Sequence, residues 1–323
     1  MKRTGWIVYE EADAIKNQEY IRMFTDAAAE VGVILTLFYT YKTASGGFSL
    51  VSPEHINIHS ATDSFTSEQS LDKSNRPDFV INRSRNTELA IWLEQQGVRV
   101  FNPAIVTDIC NDKKKTYEFI REHGISFMET AYDINLVKNW QYPFVIKPAC
   151  GHGGNLVKLV YSQEELQSSI HEINTVYQEH PGYVLQHCAS DIGKDLRVYL
   201  LGSKIIASIM RSAYGDDIPN LNTNIDSSNA LTNITPPDIR SNYSLGHNAA
   251  LHTLTSEENA LVQRIIPLLP FDCIGIDFVY DKGHPVFNEI EDAVGARMLY
   301  SNSDIDLVKL YMNYIVKQSH LSI

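Results

Sequence analysis

Apolar and polar positions alternate along this chain in two different rhythms. From Trp6 to Phe101, short apolar runs take turns with helical stripes. Trp6 to Tyr9, Val33 to Tyr39, Asp78 to Asn82 and Val98 to Phe101 read as strands. Between them, Ile15 to Gly32 places Ile21, Phe24, Ala28 and Val31 at helical spacing and stops at Gly32, and Thr87 to Gln96 stops at Gly97. Gly46-Gly47 and the polar stretch from Ser60 to Arg76 read as connections. Strand–helix alternation predicts a small, mostly parallel α/β domain, with ligands at the carboxyl ends of its strands. Arg83 and Arg85 follow directly on one such end. They are either substrate contacts or solvated loop arginines.

Beyond Asn102-Pro103 the rhythm changes to hairpins. Asn111 to His123 is an amphipathic helix capped by Gly124, and its Lys113, Lys114 and Lys115 would by default form a solvated face. Tyr142 to Pro148, YPFVIKP, is an apolar strand with Lys147 near its end. Gly151, Gly153 and Gly154 follow, and Leu156 to Val160 reads as the returning strand. Glycines free a loop to wrap a phosphate with its amides, and a lysine at the base adds charge. Tyr183 to His187 is a further strand. Asp195 to Leu201 and Lys204 to Arg211 pair through Gly202-Ser203, so Asp195, Arg197 and Arg211 share a hairpin, by default on its watery face. Residues 212 to 239 lack apolar periodicity and read as a long loop ending in Arg240-Ser241-Asn242. Ser256 to Leu269 follows as a helix with a capping signal in TSEE and a stop at Pro270, and Ile305 to Val316 is a closing amphipathic helix.

The most informative stretch is Cys273 to Arg297, CIGIDFVYDKGHPVFNEIEDAVGAR. Two strands meet at the turn Asp281-Lys282-Gly283. Period-two alternation puts Asp277 on one side of the first strand, and Glu289 with Glu291 on one side of the second, so three carboxylates can converge. Two such charges about 4 Å apart repel by roughly 4 kcal/mol at an effective dielectric near 20. An oxygen-only set suits a hard ion such as magnesium on a nucleotide's phosphates. An edge hairpin with solvated acids is the alternative.

Bulk properties narrow the classes. Lysine and arginine total 27 against 39 aspartates and glutamates, a net charge of −12, which argues against a nucleic-acid partner. Cys110, Cys150, Cys188 and Cys273 are scattered without metal spacing and read as reduced cytosolic thiols. The apolar run at Trp6 to Tyr9 is too short for a signal peptide, and no run is long enough to span a membrane. A cytoplasmic protein follows, with its oligomeric state left open, homo-oligomer included.

Taken in order, NDKKKTYEFIREHGI, YPFVIKP, the Gly-rich loop, GKDLRVYLLGSKIIASIMR, RSNYSLG, IGIDF and NEIE resemble the motifs of the ATP-grasp superfamily, and within it the RimK-type carboxylate–amine ligases. The resemblance implies an α/β (α+β) ATP-grasp fold in three parts: an N-terminal Rossmann-like domain at 1-105, a central lobe at 106-185 and a metal-bearing lobe at 186-323. It implies ATP, with two magnesium ions and manganese as a substitute. Lys113, Lys147, Gly151, Gly153, Gly154, Gln186, His187, Asp195 and Ser241 fall at nucleotide contacts. Arg197, Arg211, Arg240 and Asn242 fall at the transferred phosphate and acyl-phosphate, and Asp277, Glu289 and Glu291 at metal ligands. The implied reaction joins a carboxylate, with glutamate the family-weighted acid, to an amine of an amino acid, a peptide, or a carrier or protein end.

Three departures colour that expectation. Glu291 stands where the family usually has Asn, and Gln186 where the hinge usually has Glu, which shifts adenine hydrogen bonding toward backbone groups. A Ser-Pro-Gly turn is replaced by Asp292-Ala293-Val294-Gly295-Ala296-Arg297. Arg297 then either points into the acceptor site, implying a substrate with an extra carboxylate, or pairs with Glu291 or Asp292. The loop 212 to 239 is longer than the family norm and is expected to act as a lid. An ATP-grasp kinase, a thioester-forming ligase and a non-catalytic nucleotide binder are the rival readings.

Overall fold

The computed structural model describes residues 3–43, 46–53, 64–178, 181–212 and 248–319. Its N-terminal part alternates strand and helix as the pattern predicts: β1 (Arg3–Glu10), α1 (Glu11–Lys16), α2 (Gln18–Glu30), β2 (Val33–Lys42), β3 (Phe48–Val51), β4 (Ser64–Thr66), β5 (Phe79–Asn82), α3 (Thr87–Gln95) and β6 (Arg99–Phe101). The single helix expected from Ile15 is in fact two, because the chain leaves helical geometry at Asn17. The sheet runs β4-β3-β2-β1-β5-β6, parallel from β2 to β6 and antiparallel at the β3–β4 edge. Both faces of β1 are covered. Ile7 and Tyr9 pack with Phe24 and Ala28 of α2, and Trp6 and Val8 pack with Leu89 and Leu93 of α3.

Next come α4 (Ala104–Cys110) and α5 (Lys113–Glu122), then β7 (Thr130–Ala131), β8 (Phe144–Pro148), β9 (Lys158–Val160), α6 (Gln163–Val176) and β10 (Tyr183–His187). These four strands form a sheet in the order β7-β10-β8-β9, covered by α6 through Leu166 and Ile173. Leu156 does not join the returning strand. It turns through a left-handed backbone (φ 55), and β9 begins at Lys158.

The last sheet is built from β11 (Lys194–Leu201), β12 (Lys204–Ser212), β13 (Asn248–Leu251), β14 (Cys273–Asp281) and β15 (His284–Glu291), ordered β13-β12-β11-β14-β15 and fully antiparallel. Helix α7 (Ser256–Ile265) opens with the predicted capping box at Thr255 and Glu258. One face of the sheet presents Leu196, Val198, Ile274, Ile276 and Phe278 to α7 and to Tyr117 and Ile120 of α5. Helix α8 (Arg297–Asn302) and helix α9 (Leu307–Ser319) close the described chain. Leu307, Val308, Tyr311 and Met312 of α9 pack beside α2 under the N-terminal sheet, so the chain's last helix completes its first core.

Candidate nucleotide and substrate cleft

Strand register sets the centre of the site. Arg197 of β11 lies opposite Asp277 of β14, Asp195 opposite Arg211 of β12, and Asp277 opposite Glu289 of β15. Opposed side chains on antiparallel strands are within reach of one another, so a band of alternating charge crosses the sheet. Arg197 donates to Asp277 through Nε at 2.7 Å and Nη2 at 2.6 Å, and its Nη2 lies 3.0 Å from Glu291. Arg211 grips both oxygens of Asp195 and also donates to Asp277 at 2.9 Å. Asp195, Arg197, Arg211 and Asp277 are all buried, which overturns the default expectation of a watery face. Burial pushes the Asp277 carboxyl up, and Arg197 and Arg211 outweigh it, holding the group below the usual carboxylate range.

A bulge brings in a residue that alternation hides. Asp277 pairs with Glu289 but Phe278 pairs with Phe287, so Asn288 is the additional residue. Asn288, Glu289 and Glu291 then line one cleft together. Lys147 extends from β8 toward this bulge and donates to Tyr117 Oη at 2.7 Å, Gln186 Oε1 at 2.9 Å and Asn288 Oδ1 at 3.3 Å. None of these partners carries a negative charge. Burial, reinforced by the charge on Lys113, pushes the Lys147 ammonium down to about 7.

Of the three consecutive lysines only Lys113 turns inward. It is buried, bonded to the Gly151 carbonyl and 3.2 Å from Glu289. Burial acts to lower its pKa, and Glu289 reverses the balance and raises it. Lys115 pairs with Asp108 at the surface, and Lys114 lies over the Tyr132 ring. The split follows from the helix start, where the Asp112 side chain caps the amides of Lys114 and Lys115 and fixes which lysine faces the cleft.

The Gly-rich loop borders the same cleft, with Gly153 and Gly154 at φ 66 and 74, backbone that a β-carbon would strain. Gln186 spends both ends of its side chain inside the protein, accepting from Lys147 and donating to Thr130 Oγ1 at 2.9 Å. His187 packs against Trp140 with ring centroids 4.0 Å apart and lines the cleft.

The cleft, about 970 Å³, is walled on its other side by Tyr9, Arg83 and Arg85 from the N-terminal sheet and by Arg297. Arg83 donates to Tyr9 Oη at 3.2 Å and to the Val294 carbonyl at 3.0 Å. Arg85 has a left-handed backbone (φ 60) and pairs with Asp13 at 3.2 Å. Arg297 is exposed, and its expected alternative partners are engaged elsewhere: Glu291 by Arg197, and Asp292 by Asn111 Nδ2 at 3.0 Å. Arg240, Ser241 and Asn242, and the expected lid from 213 onward, lie outside the described residues.

A hard cation is what the resemblance implies here. Glu289 and Glu291 offer it oxygen donors, with side chains 26% and 28% exposed at the cleft wall, and that chemistry fits. The convergence of three acids on one point is not what the fold produces. Among the described residues no three His, Cys, Asp or Glu side chains are placed to hold a metal, because Asp277, Glu289 and Glu291 are each drawn toward a cation. Tyr117 and Asn288, bonded to Lys147, and Thr130, bonded to Gln186, are further polar groups that residue patterns did not single out. Asn288 sits inside the NEIE motif, but its alternation phase points it the wrong way until the bulge is known.

A sequence model described as an ATP-grasp domain matches residues 110–208. An uncharacterized Mycoplasma pneumoniae protein, the MG011 homolog, is 29% identical over 225 residues, covering 69% of this chain and 68% of that protein. A probable alpha-L-glutamate ligase 2 of Hahella chejuensis is 21% identical over 232 residues, covering 69% and 68%. Among solved structures, a RimK domain ATP-grasp protein from Sphaerobacter thermophilus superposes with a TM-score of 0.64 at 15% identity, covering 97% of this chain and 99% of that one. Residues 110–208 thus match an ATP-grasp domain, and the chain as a whole has the ATP-grasp fold. Its relatives thus include a probable alpha-L-glutamate ligase, and its structural neighbours a RimK domain protein, the type its motifs resemble.

Proposed function

We propose that the protein is an ATP-dependent carboxylate–amine ligase that phosphorylates a carboxylate and captures the acyl-phosphate with an amine. One observation carries this reading. Four buried cations, Lys113, Lys147, Arg197 and Arg211, line a single cleft together with Glu289 and Glu291. Transfer of a γ-phosphoryl group needs charge placed before reaction rather than a protein nucleophile, and this arrangement supplies it. In this reading the three sheets are three lobes, 1-105, 106-185 and 186-323, with the nucleotide between the last two.

Lys113 and Lys147 would meet the phosphates, with the amides of Gly151, Gly153 and Gly154 beside them. Arg197 and Arg211 would face the transferred group, with Arg240, Ser241 and Asn242 entering from the loop. Asp195 holds Arg211 in position. Glu289 and Glu291, with Asp277 on the neighbouring strand, would hold magnesium, which would supply charge neutralisation for the phosphates. The acid is proposed to be an amino acid, and the four free thiols accord with a reducing, cytoplasmic setting.

A matrix of amino acids and short peptides, offered as acid and amine with ATP and magnesium, tests the reaction by phosphate release and product mass. Amide formed in step with ADP and phosphate is the expected result. ADP with a stable phosphorylated product and no free phosphate would make the protein a kinase. Nucleotide binding with no turnover on any pair would leave a binding protein.

A further inference from the structure

Where the N-terminal sheet meets the turn after β15, one buried positive charge makes no ion pair among the described residues. Arg83 is 8% exposed, and its partners, Tyr9 Oη and the Val294 carbonyl, are neutral. The rings of Tyr9 and Tyr20 flank its guanidinium at 5.8 and 5.2 Å. Arg297 follows Val294 closely and faces the same cleft. Among the described residues no carboxylate comes within ion-pair distance of either arginine: Asp13 pairs with Arg85 and Glu291 with Arg197, and the buried Asp292, bonded to Asn111, feels the charge of Arg83 from beyond that distance. A guanidinium held out of water among neutral acceptors is costly, and a bound anion relieves that cost.

We propose that Arg83 and Arg297 form a subsite for a carboxylate that the reaction does not consume, the free α-carboxylate of an amino acid or of a peptide's end. A planar fork of N–H donors matches a carboxylate, and Ala293 and Met298 add aliphatic surface to the same cleft. The phosphates and the reacting carboxylate have their own cations, Lys113, Lys147, Arg197 and Arg211. This subsite therefore selects the substrate rather than performing the transfer. Its assignment to the ligase's substrate rests on the function proposed above, whereas carboxylate binding does not.

The test pairs each standard L-amino acid with its α-carboxamide, which keeps shape and removes charge. In ADP release by the wild-type protein, the amide should lose at least about 30-fold in kcat/KM, mostly through KM. Arg297→Gln, at an exposed position, should shrink that ratio to within about 3-fold, and Arg83→Lys should shrink it partly. A second arm omits nucleotide and measures amino-acid and amide binding by NMR titration of the full chain. Arg297-dependent preference for the amino acid without turnover on any pair would sustain the subsite and sink the ligase. Equal use or binding of acid and amide, a ratio indifferent to Arg297→Gln, or no binding in either arm would overturn the subsite.

Discussion

Lys147 shows how far one residue's chemistry depends on its neighbours. Its ammonium bonds only to a phenol and two amide oxygens, so burial and the charge on Lys113 outweigh the more distant Glu289 and push the group down to about 7. Lys113, equally buried, has Glu289 and stays charged. A triphosphate would restore the charge on Lys147. Nucleotide binding at pH 8 should therefore take up close to one proton, and at pH 6 almost none. Calorimetry in buffers of different ionisation enthalpy measures this directly, and Lys147→Met should abolish the uptake along with most turnover, a loss on the order of 10²-fold or more. The lysine and its strand were legible in YPFVIKP. Its state of charge was not, since Tyr117 and Asn288 come from distant elements.

At the scale of elements, the five-stranded sheet divides its two faces between stability and chemistry. Leu196, Val198, Ile276 and Phe278 feed the core under α5 and α7, and the alternate positions Asp195, Arg197 and Asp277 feed the cleft. Alternation revealed which residues share a face of each strand. It left open which residues lie opposite across strands, and that register converts a set of exposed-looking charges into mutual ion pairs. Asp277 holds two buried arginines at once. Asp277→Asn should lower stability by about 1.5–3 kcal/mol, because it removes the shared carboxylate from both while Glu291 still pairs with Arg197 and Asp195 with Arg211. Urea denaturation would show it as a lower midpoint at unchanged slope, and an unaltered midpoint would mean water reaches the pair freely.

Across the whole molecule, the last helix is part of the first core. Asp272, just before β14, ties these parts together: it binds Arg99 of β6 through both oxygens at 2.8 Å and accepts from Tyr314 of α9 at 3.0 Å. Burial prevails over Arg99 and pushes its carboxyl up to about 6. Between the ordinary carboxylate pKa near 4 and this value, the folded protein holds a proton that the unfolded chain has released, so stability falls as pH rises through that window. Thermal unfolding of wild type and Asp272→Asn from pH 4 to 8 should differ in slope between pH 4 and 6 and run parallel above pH 7. No helix among the described residues is long and apolar enough to cross a membrane.

What the amino-acid string determined by itself was local: strands and helices from their period, Lys147 and the glycines from a motif, and two acids on one side of β15. These depend on backbone geometry within a few residues. Only the tertiary structure decided that Lys113 rather than its neighbours faces inward, that Asn288 turns with Glu289, that Asp277 is clasped by arginines, and that Arg83 makes no ion pair among the described residues. Charge energies fall with distance and rise with burial, and both are set by partners far away in the chain.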